Sequence, residues 1–322
     1  MIDATASILN SINQQGHSIK AGILKTLIYF DIFSYPLTKY ELIKFHQRPI
    51  LDQADFDQCI ADLISTGILF KRGDFYLLHD NSKAVDKRAE GNKLALQKMP
   101  IAKKYASIIA RFPFVRAVLI SGSLSKNYME ADSDVDFFIV TAPNRLWLLR
   151  TMLGVFRRVF LLNSHRYFCT NYLVDDQTLR IEEKNFFTAI ELSTLIPVYG
   201  EHYSSKLRVM NNWTAKYLPN LTENKADLIK FKDSKTKRFL EWLLHFPLFD
   251  KLDTLSMNFN LARWRKKFAA QLDAKDFNIA FKTHKGVSKS HPKFLQKKIL
   301  TLYYQRLKFF ESRVNISLTD QV

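Results

Sequence analysis

Residues 115–140 read VRAVLISGSLSKNYMEADSDVDFFIV, and the reading of this stretch decides the fold. Two apolar runs, VRAVLI and DVDFFIV, have the length and β-branched or aromatic content of buried strands. Gly122-Ser123 follows the first run, and Asp134 and Asp136 stand one residue apart at the start of the second. Side chains alternate across a strand, so both carboxylates are expected on one side and Val135 within the sheet. Neighbouring carboxylates repel, and burying both unpaired is costly. The ordinary remedies are a cationic partner, exposure at the strand start, or a divalent metal. Carboxylate oxygens suit Mg²⁺ or Mn²⁺, which also bind phosphates. Gly122 permits a tight turn after the strand, and the Ser123 hydroxyl with the N–H groups of a following short helix would receive a phosphate.

Upstream, Ile19–Phe33 has a helical pattern that Tyr35-Pro36 stops. Thr38 followed by Glu41 is a capping-box pattern for the helix TKYELIKF. Asp52–Ser65 reads as a third helix with Phe56, Ile60, Leu63 and Ile64 on one stripe and Gly67 beyond its end. ILFKRGDFYLL then reads as two short strands around a KRGD turn. Three helices and a hairpin in this order resemble a winged helix-turn-helix domain. Its presumed recognition helix carries Asp52, Asp55, Asp57 and Asp62 and no Lys or Arg, so phosphate rows would repel it. Docking of a protein partner or a structural role is expected ahead of DNA binding.

Downstream, Lys83–Phe112 is expected to be a linking helix, with Gly91 and Pro100 as places where it could break. Asn144–Leu161 reads as a long helix, RYFCTNYLV as a strand, and Asn185–Ile196 as a helix stopped by Pro197. Past Tyr217 the pattern is mostly helical, interrupted by FKTHKGVSKSHPKF. No internal repeat or low-complexity tract is present.

The chain of 322 residues is 47% hydrophobic, enough for a substantial core, and carries a net charge of +17. From Thr222 onward there are 21 Lys and Arg against 10 Asp and Glu, a bias that favours polyanions or simply a solvated basic surface. Aromatics recur among those charges at helical spacing, which fits core packing better than base stacking. Cys59 and Cys169 match no metal or redox spacing, as expected in a reducing compartment. The N-terminus MIDATASILNSINQQ lacks a basic start and a long apolar run and is expected to be frayed. LWLLRTMLGVFRRVFLL is interrupted by Arg150, Arg157 and Arg158, so it reads as a basic-sided surface helix rather than a membrane span. A cytoplasmic location is expected.

A strand, Gly-Ser, an intervening decapeptide, then Asp-x-Asp on the next strand resembles the signature of the polymerase-β-like nucleotidyltransferases. GSLSKNYMEADSDVDFFIV is similar to the loop of the small, minimal members, with Lys126 where an Arg is frequent. The resemblance spans residues 114–174. It implies a nucleotidyltransferase-type mixed sheet with flanking and linking helices over 83–200; with the winged-helix-like unit over 1–82 and the basic helical region over 201–322 read from their own patterns, an α+β (mixed α/β) chain is expected. It also implies that Gly122, Ser123 and Lys126 hold the phosphates of an NTP while Asp134 and Asp136 bind Mg²⁺ or Mn²⁺. The reaction would move a nucleoside monophosphate to an acceptor hydroxyl on a small molecule, a protein or an RNA end, releasing pyrophosphate. The family brings a third carboxylate from the next strand, where this chain has Asn171, a neutral and poorer ligand; Asp175, Asp176 or Glu182 could substitute, or are solvated turn residues at that strand's end. The alternative is a catalytically degenerate domain that senses nucleotide, or a winged-helix binding or regulatory protein.

Three further features complete the expectation. Glu191 is placed as a general base is in related antibiotic nucleotidyltransferases, or else is an acid at a helix edge or one paired with a surface Arg. Lys282, His284, Lys285, Lys289 and His291 cluster around Gly286, as a cationic lid or a solvated loop. Trp213 is a base-stacking candidate with core packing as the stronger alternative.

Overall fold

The computed structural model describes residues 18–222, 228–229, 234–268, 277, 281, 283–289, 295–314 and 316–318. The N-terminal stretch expected to fray lies outside these, as do Lys282, His291 and Lys293 of the basic loop. Among the described residues no helix is long and apolar enough to cross a membrane.

Helix α1 (residues 18–31) is followed by β1 (Leu37–Thr38), α2 (Lys39–Phe45), α3 (Gln53–Ser65), β2 (Phe70–Arg72) and β3 (Phe75–Leu77). The capping box forms at α2: the Glu41 N–H donates to Thr38 Oγ1 at 3.2 Å and the Thr38 N–H to the Glu41 carboxylate at 2.9 Å. The strands pair antiparallel in the order β1-β3-β2. On α3 the buried stripe is Phe56, Cys59, Ile60 and Leu63, and Ile64 lies outside it, exposed. The apolar core of this unit is completed from far along the chain, by Phe186, Ala189 and Ile190 of α6 (Phe186–Ser193) and by Ile299, Tyr303, Leu307 and Phe310 of α10 (Leu295–Val314).

Helix α4 (Ser82–Ala110) runs unbroken through both Gly91 and Pro100, contrary to the break considered there. A proline inside a helix removes one hydrogen bond. Burial of Ala95, Ala102, Ala106 and Ile109 against the main sheet holds the helix across that gap. Gly91 answers a packing demand, since a Cβ at this position would sit 2.2 Å from the Tyr128 ring.

The main sheet contains β4 (Val115–Ser121), β5 (Asp136–Thr141), β6 (Cys169–Asp175), β7 (Ile196–Tyr199), β8 (Thr283–His284) and β9 (Val287–Lys289), in the order β7-β4-β5-β6-β9-β8. Among the described strands only β5 and β6 run parallel, and α5 (Leu146–Phe160) crosses between them. Along β5, Phe137 and Ile139 face α4 and α5, where Trp147 and Leu149 are fully buried. Phe138 and Val140 face the opposite core with Leu119, Val174 and Leu207 of α7 (Glu201–Met210). Burying each such side chain contributes about 1.5–3 kcal/mol, which fixes the register on both faces. Helix α8 (Lys235–Leu243) sends buried Lys237 to the carbonyls of Ala110 and Val115 at 3.1 and 3.0 Å, and α9 (Leu248–Phe268) packs along α5.

Two expectations about the later elements are corrected. The helix read over Asn185–Ile196 ends at Ser193, and Ile196–Tyr199 is the edge strand β7. Pro197 is tolerated there because an edge strand can leave one side without N–H donors. The basic segment read as a lid or solvated loop contributes, in its described part, the β8–β9 hairpin of the sheet; Lys289 is buried, reaching Gln296 at 3.1 Å.

Candidate active site

The chain leaves β4 at Ser121, directly opposite Asp136 in the β4–β5 register, so the next residue, Gly122, turns beside that carboxylate. Gly122 adopts φ +69°, and a Cβ there would lie 2.6 Å from Asp136 Oδ2. Glycine is required twice, by the left-handed backbone and by the space the carboxylate takes. Only one 3₁₀ turn, Leu124–Lys126, follows Gly122-Ser123, where a short helix was expected. Ser123 Oγ lies 3.6 Å from Met129 Sδ, and buried Ser125 donates to the Gly122 carbonyl at 2.8 Å.

Asp136 opens β5 on the face of Phe138, with its side chain half-buried. Asp134, expected beside it on the strand, precedes the strand and is exposed. Solvation at the strand start thus relieves one of the two charges. The other carries the strain: burial pushes the Asp136 carboxyl up to about 6, against a hydrogen bond from Cys169, and the charges of Asp134 and Glu191 push it the same way while Lys126 opposes them. Burial also raises the Cys169 thiol, with Asp136 adding to it.

Asn171 on β6 donates from Nδ2 to Asp136 Oδ1 at 2.8 Å. Asn171 is therefore adjacent to Asp136, and it presents an amide. Asp175 and Asp176 do not substitute for it. Thr141 pairs with Asp175 at the far end of β5 from Asp136, and Asp175 is engaged by Thr178, whose hydroxyl donates to it at 2.6 Å. Glu182 is exposed and lies in electrostatic reach of Tyr172.

Lys126 and Glu191, given separate roles from the sequence, form one ion pair at 2.9 Å. Lys126 Nζ also donates to the Gly122 carbonyl at 3.0 Å, so the pair closes over the Gly-Ser corner. Gly122, Ser123, Lys126, Asp136, Asn171 and Glu191 are thus brought to one end of the sheet, with Asp134 at its exposed margin. Trp213 is not part of it: it is buried, with Nε1 donating to Asn211 Oδ1 at 3.1 Å. The hairpin lysine Lys289 lies over the Tyr172 ring instead.

Several participants had no signal in the sequence. The Tyr35 hydroxyl, from the N-terminal unit, donates to the Lys126 carbonyl at 2.6 Å. Behind it buried Arg88 stacks 3.7 Å from the Tyr35 ring centroid and pairs with Glu41 at 2.7 Å. Thr194 sits 3.3 Å from Ser125. These contacts join residues far apart in the chain, and only the fold reveals them. Cys169 is set opposite Asp136 by the β5–β6 register.

The donor set fits a divalent ion that arrives with phosphates: one half-buried carboxylate of raised proton affinity, an exposed one two positions away, and a Gly-Ser corner beside them. Among the described residues no three of His, Cys, Asp and Glu are grouped to share one ion. No protein-family model, curated protein or solved structure matches the chain.

Proposed function

We propose that the chain is a nucleotidyltransferase that moves a nucleoside monophosphate from an NTP to an acceptor hydroxyl, with Mg²⁺ or Mn²⁺ and release of pyrophosphate. The observation that carries this reading is the abutment of Gly122 on the Asp136 carboxylate, with a Cβ position only 2.6 Å from Oδ2. A polypeptide has little structural reason to press a left-handed turn against an under-neutralised carboxylate. A metal–triphosphate group bound there gives one, since it supplies the missing positive charge and uses the turn as a phosphate seat.

Asp136 and Asp134 would hold the ion, which when bound neutralises charge on the reacting phosphate. Ser123 lies on the turn where a phosphate chain would rest. Lys126, held above the Gly122 carbonyl by Glu191, is placed to balance phosphate charge; Glu191 acts here as its positioning partner. Catalysis of this kind consists mainly of positioning and charge neutralisation.

Replacing both Asp134 and Asp136 with Asn is expected to abolish NTP-dependent labelling of the acceptor while leaving the folded core intact. Labelling at the wild-type rate would remove the assigned site. A second reading, nucleotide sensing without transfer, is favoured by the Asn171 amide that occupies Asp136 Oδ1. Mg²⁺-dependent thermal stabilisation by an NTP with no pyrophosphate released would select it. The acidic α3 surface, on which Asp57 pairs with Lys39 and Asp62 with Lys20, supports a protein-docking or structural winged helix over a DNA-binding one.

A further inference from the structure

The C-terminal end of α5 carries apolar side chains that the fold leaves in water: Val155 is 51% exposed, Val159 61%, Phe160 69% and Leu162 91%. Leu162 and Asn163 both adopt left-handed backbone, with φ 47° and 63°, in the turn that carries Leu162 outward. Such a conformation is uncommon for leucine and gains nothing from core packing here. Cations crowd the same end. Arg157 contacts His165 Nδ1 at 2.9 Å, Arg158 and Arg166 are exposed beside them, and Arg263, Lys266 and Lys267 at the end of α9 are exposed as well. Their mutual repulsion is felt: burial first, then Arg158 and Arg263, lower the Arg157 guanidinium against Cys169, and burial followed by Arg157 and Lys267 lowers His165 against the charge of Asp134.

We infer that this apolar tip with its cationic surround is a docking surface for an anionic lipid bilayer. Phe160 and Leu162 would enter the headgroup–acyl boundary while Arg158, Arg166, Lys266 and Lys267 meet lipid phosphates and carboxylates. Neither side-chain class alone points to a bilayer; their mixture at one tip does. A second copy of the chain is the poorer occupant, because a two-fold contact through the tip would set these cations against their own copies. A nucleic-acid strand would satisfy the charges and leave Phe160 and Leu162 in water. The net charge of +17 adds long-range attraction to the same target. Asp134 lies within electrostatic reach of His165, so its charge bounds the cationic surround on that side.

The test is co-sedimentation of the full chain, without nucleotide, on phosphatidylcholine vesicles with and without phosphatidylserine. Binding is expected only to the phosphatidylserine vesicles and is expected to weaken as salt rises. The exposed double variant Phe160→Ser/Leu162→Ser should bind them about tenfold more weakly while still melting cooperatively, because lost apolar insertion reads directly as affinity and the fold loses only the contact of Phe160 with the Phe156 ring, 4.9 Å away. Lys266→Glu/Lys267→Glu should weaken binding by a similar factor. The proposal is overturned by absence of sedimentation, by equal sedimentation on neutral vesicles, or by a Phe160/Leu162 variant that binds like the wild type. It is overturned equally by a single-stranded oligonucleotide that binds in preference to vesicles, or by a dimer that the apolar variant dissociates without any vesicle binding. None of these outcomes depends on nucleotidyl transfer.

Discussion

Asp136 is held in a state that costs folding energy. Its carboxyl stands at about 6 in the folded chain against an ordinary 3.8. A raised acid favours the folded state while protonated, and that contribution is lost as pH rises from about 4 to about 6. Asparagine cannot ionise, so Asp136→Asn is expected to be more stable than wild type above pH 6 by about 1–3 kcal/mol. The gain should vanish below pH 4; melting temperatures across that range measure it, and a gain independent of pH would contradict the burial argument. Bound divalent ion should compensate the same cost, so Mg²⁺ with an NTP is expected to stabilise the wild type and not the variant. Gly122→Ala faces both a left-handed backbone and the carboxylate, and should lose about 2 kcal/mol or more together with nucleotide-induced stabilisation.

At the scale of elements, the Gly-Ser turn is seated on α4: Tyr128 fills the space beside Gly91, and the Met129 N–H donates to the Gly91 carbonyl at 3.0 Å. Gly91→Ala puts a methyl group into the Tyr128 ring. Although Ala favours the helix, the variant is expected to be less stable by about 1–3 kcal/mol through overpacking and to bind nucleotide more weakly. A gain in melting temperature would show that Tyr128 can move aside freely. Elements defined by local chemistry were legible in the sequence: the Thr38–Glu41 capping box, the β2–β3 hairpin, the two long runs that became β4 and β5. Elements defined by their neighbours were not. β1, β7, β8 and β9 are two to four residues long, too short for a period, and exist because a strand edge was available to pair with. The Lys126–Glu191 pair was illegible for a related reason: residues 65 positions apart meet only because α6 returns past the turn.

At the scale of the whole molecule, the N-terminal unit and the end of the chain share one core. Tyr303 of α10 is buried against Tyr29 and Phe186, accepts a hydrogen bond from Gln47 Nε2 at 2.9 Å, and lies one turn from Arg306, which pairs with Asp31. Tyr303→Ala is expected to cost about 3–5 kcal/mol and to lower the melting of the N-terminal unit with that of α10 in a single transition. Independent melting of the two would contradict the shared core. Through Arg88, Glu41 and Tyr35 the same unit reaches the Lys126 carbonyl, so the N-terminal unit and the candidate site rest on each other.

The most direct measurement is a crystal of the chain soaked with Mn²⁺ and a non-hydrolysable NTP, with the ion located by its anomalous signal. The account predicts manganese bonded to Asp136 and bridging to a triphosphate that lies on Gly122 and Ser123. Manganese and nucleotide bound elsewhere, or Asp136 still held only by Asn171 and Cys169 with nucleotide present, would contradict it.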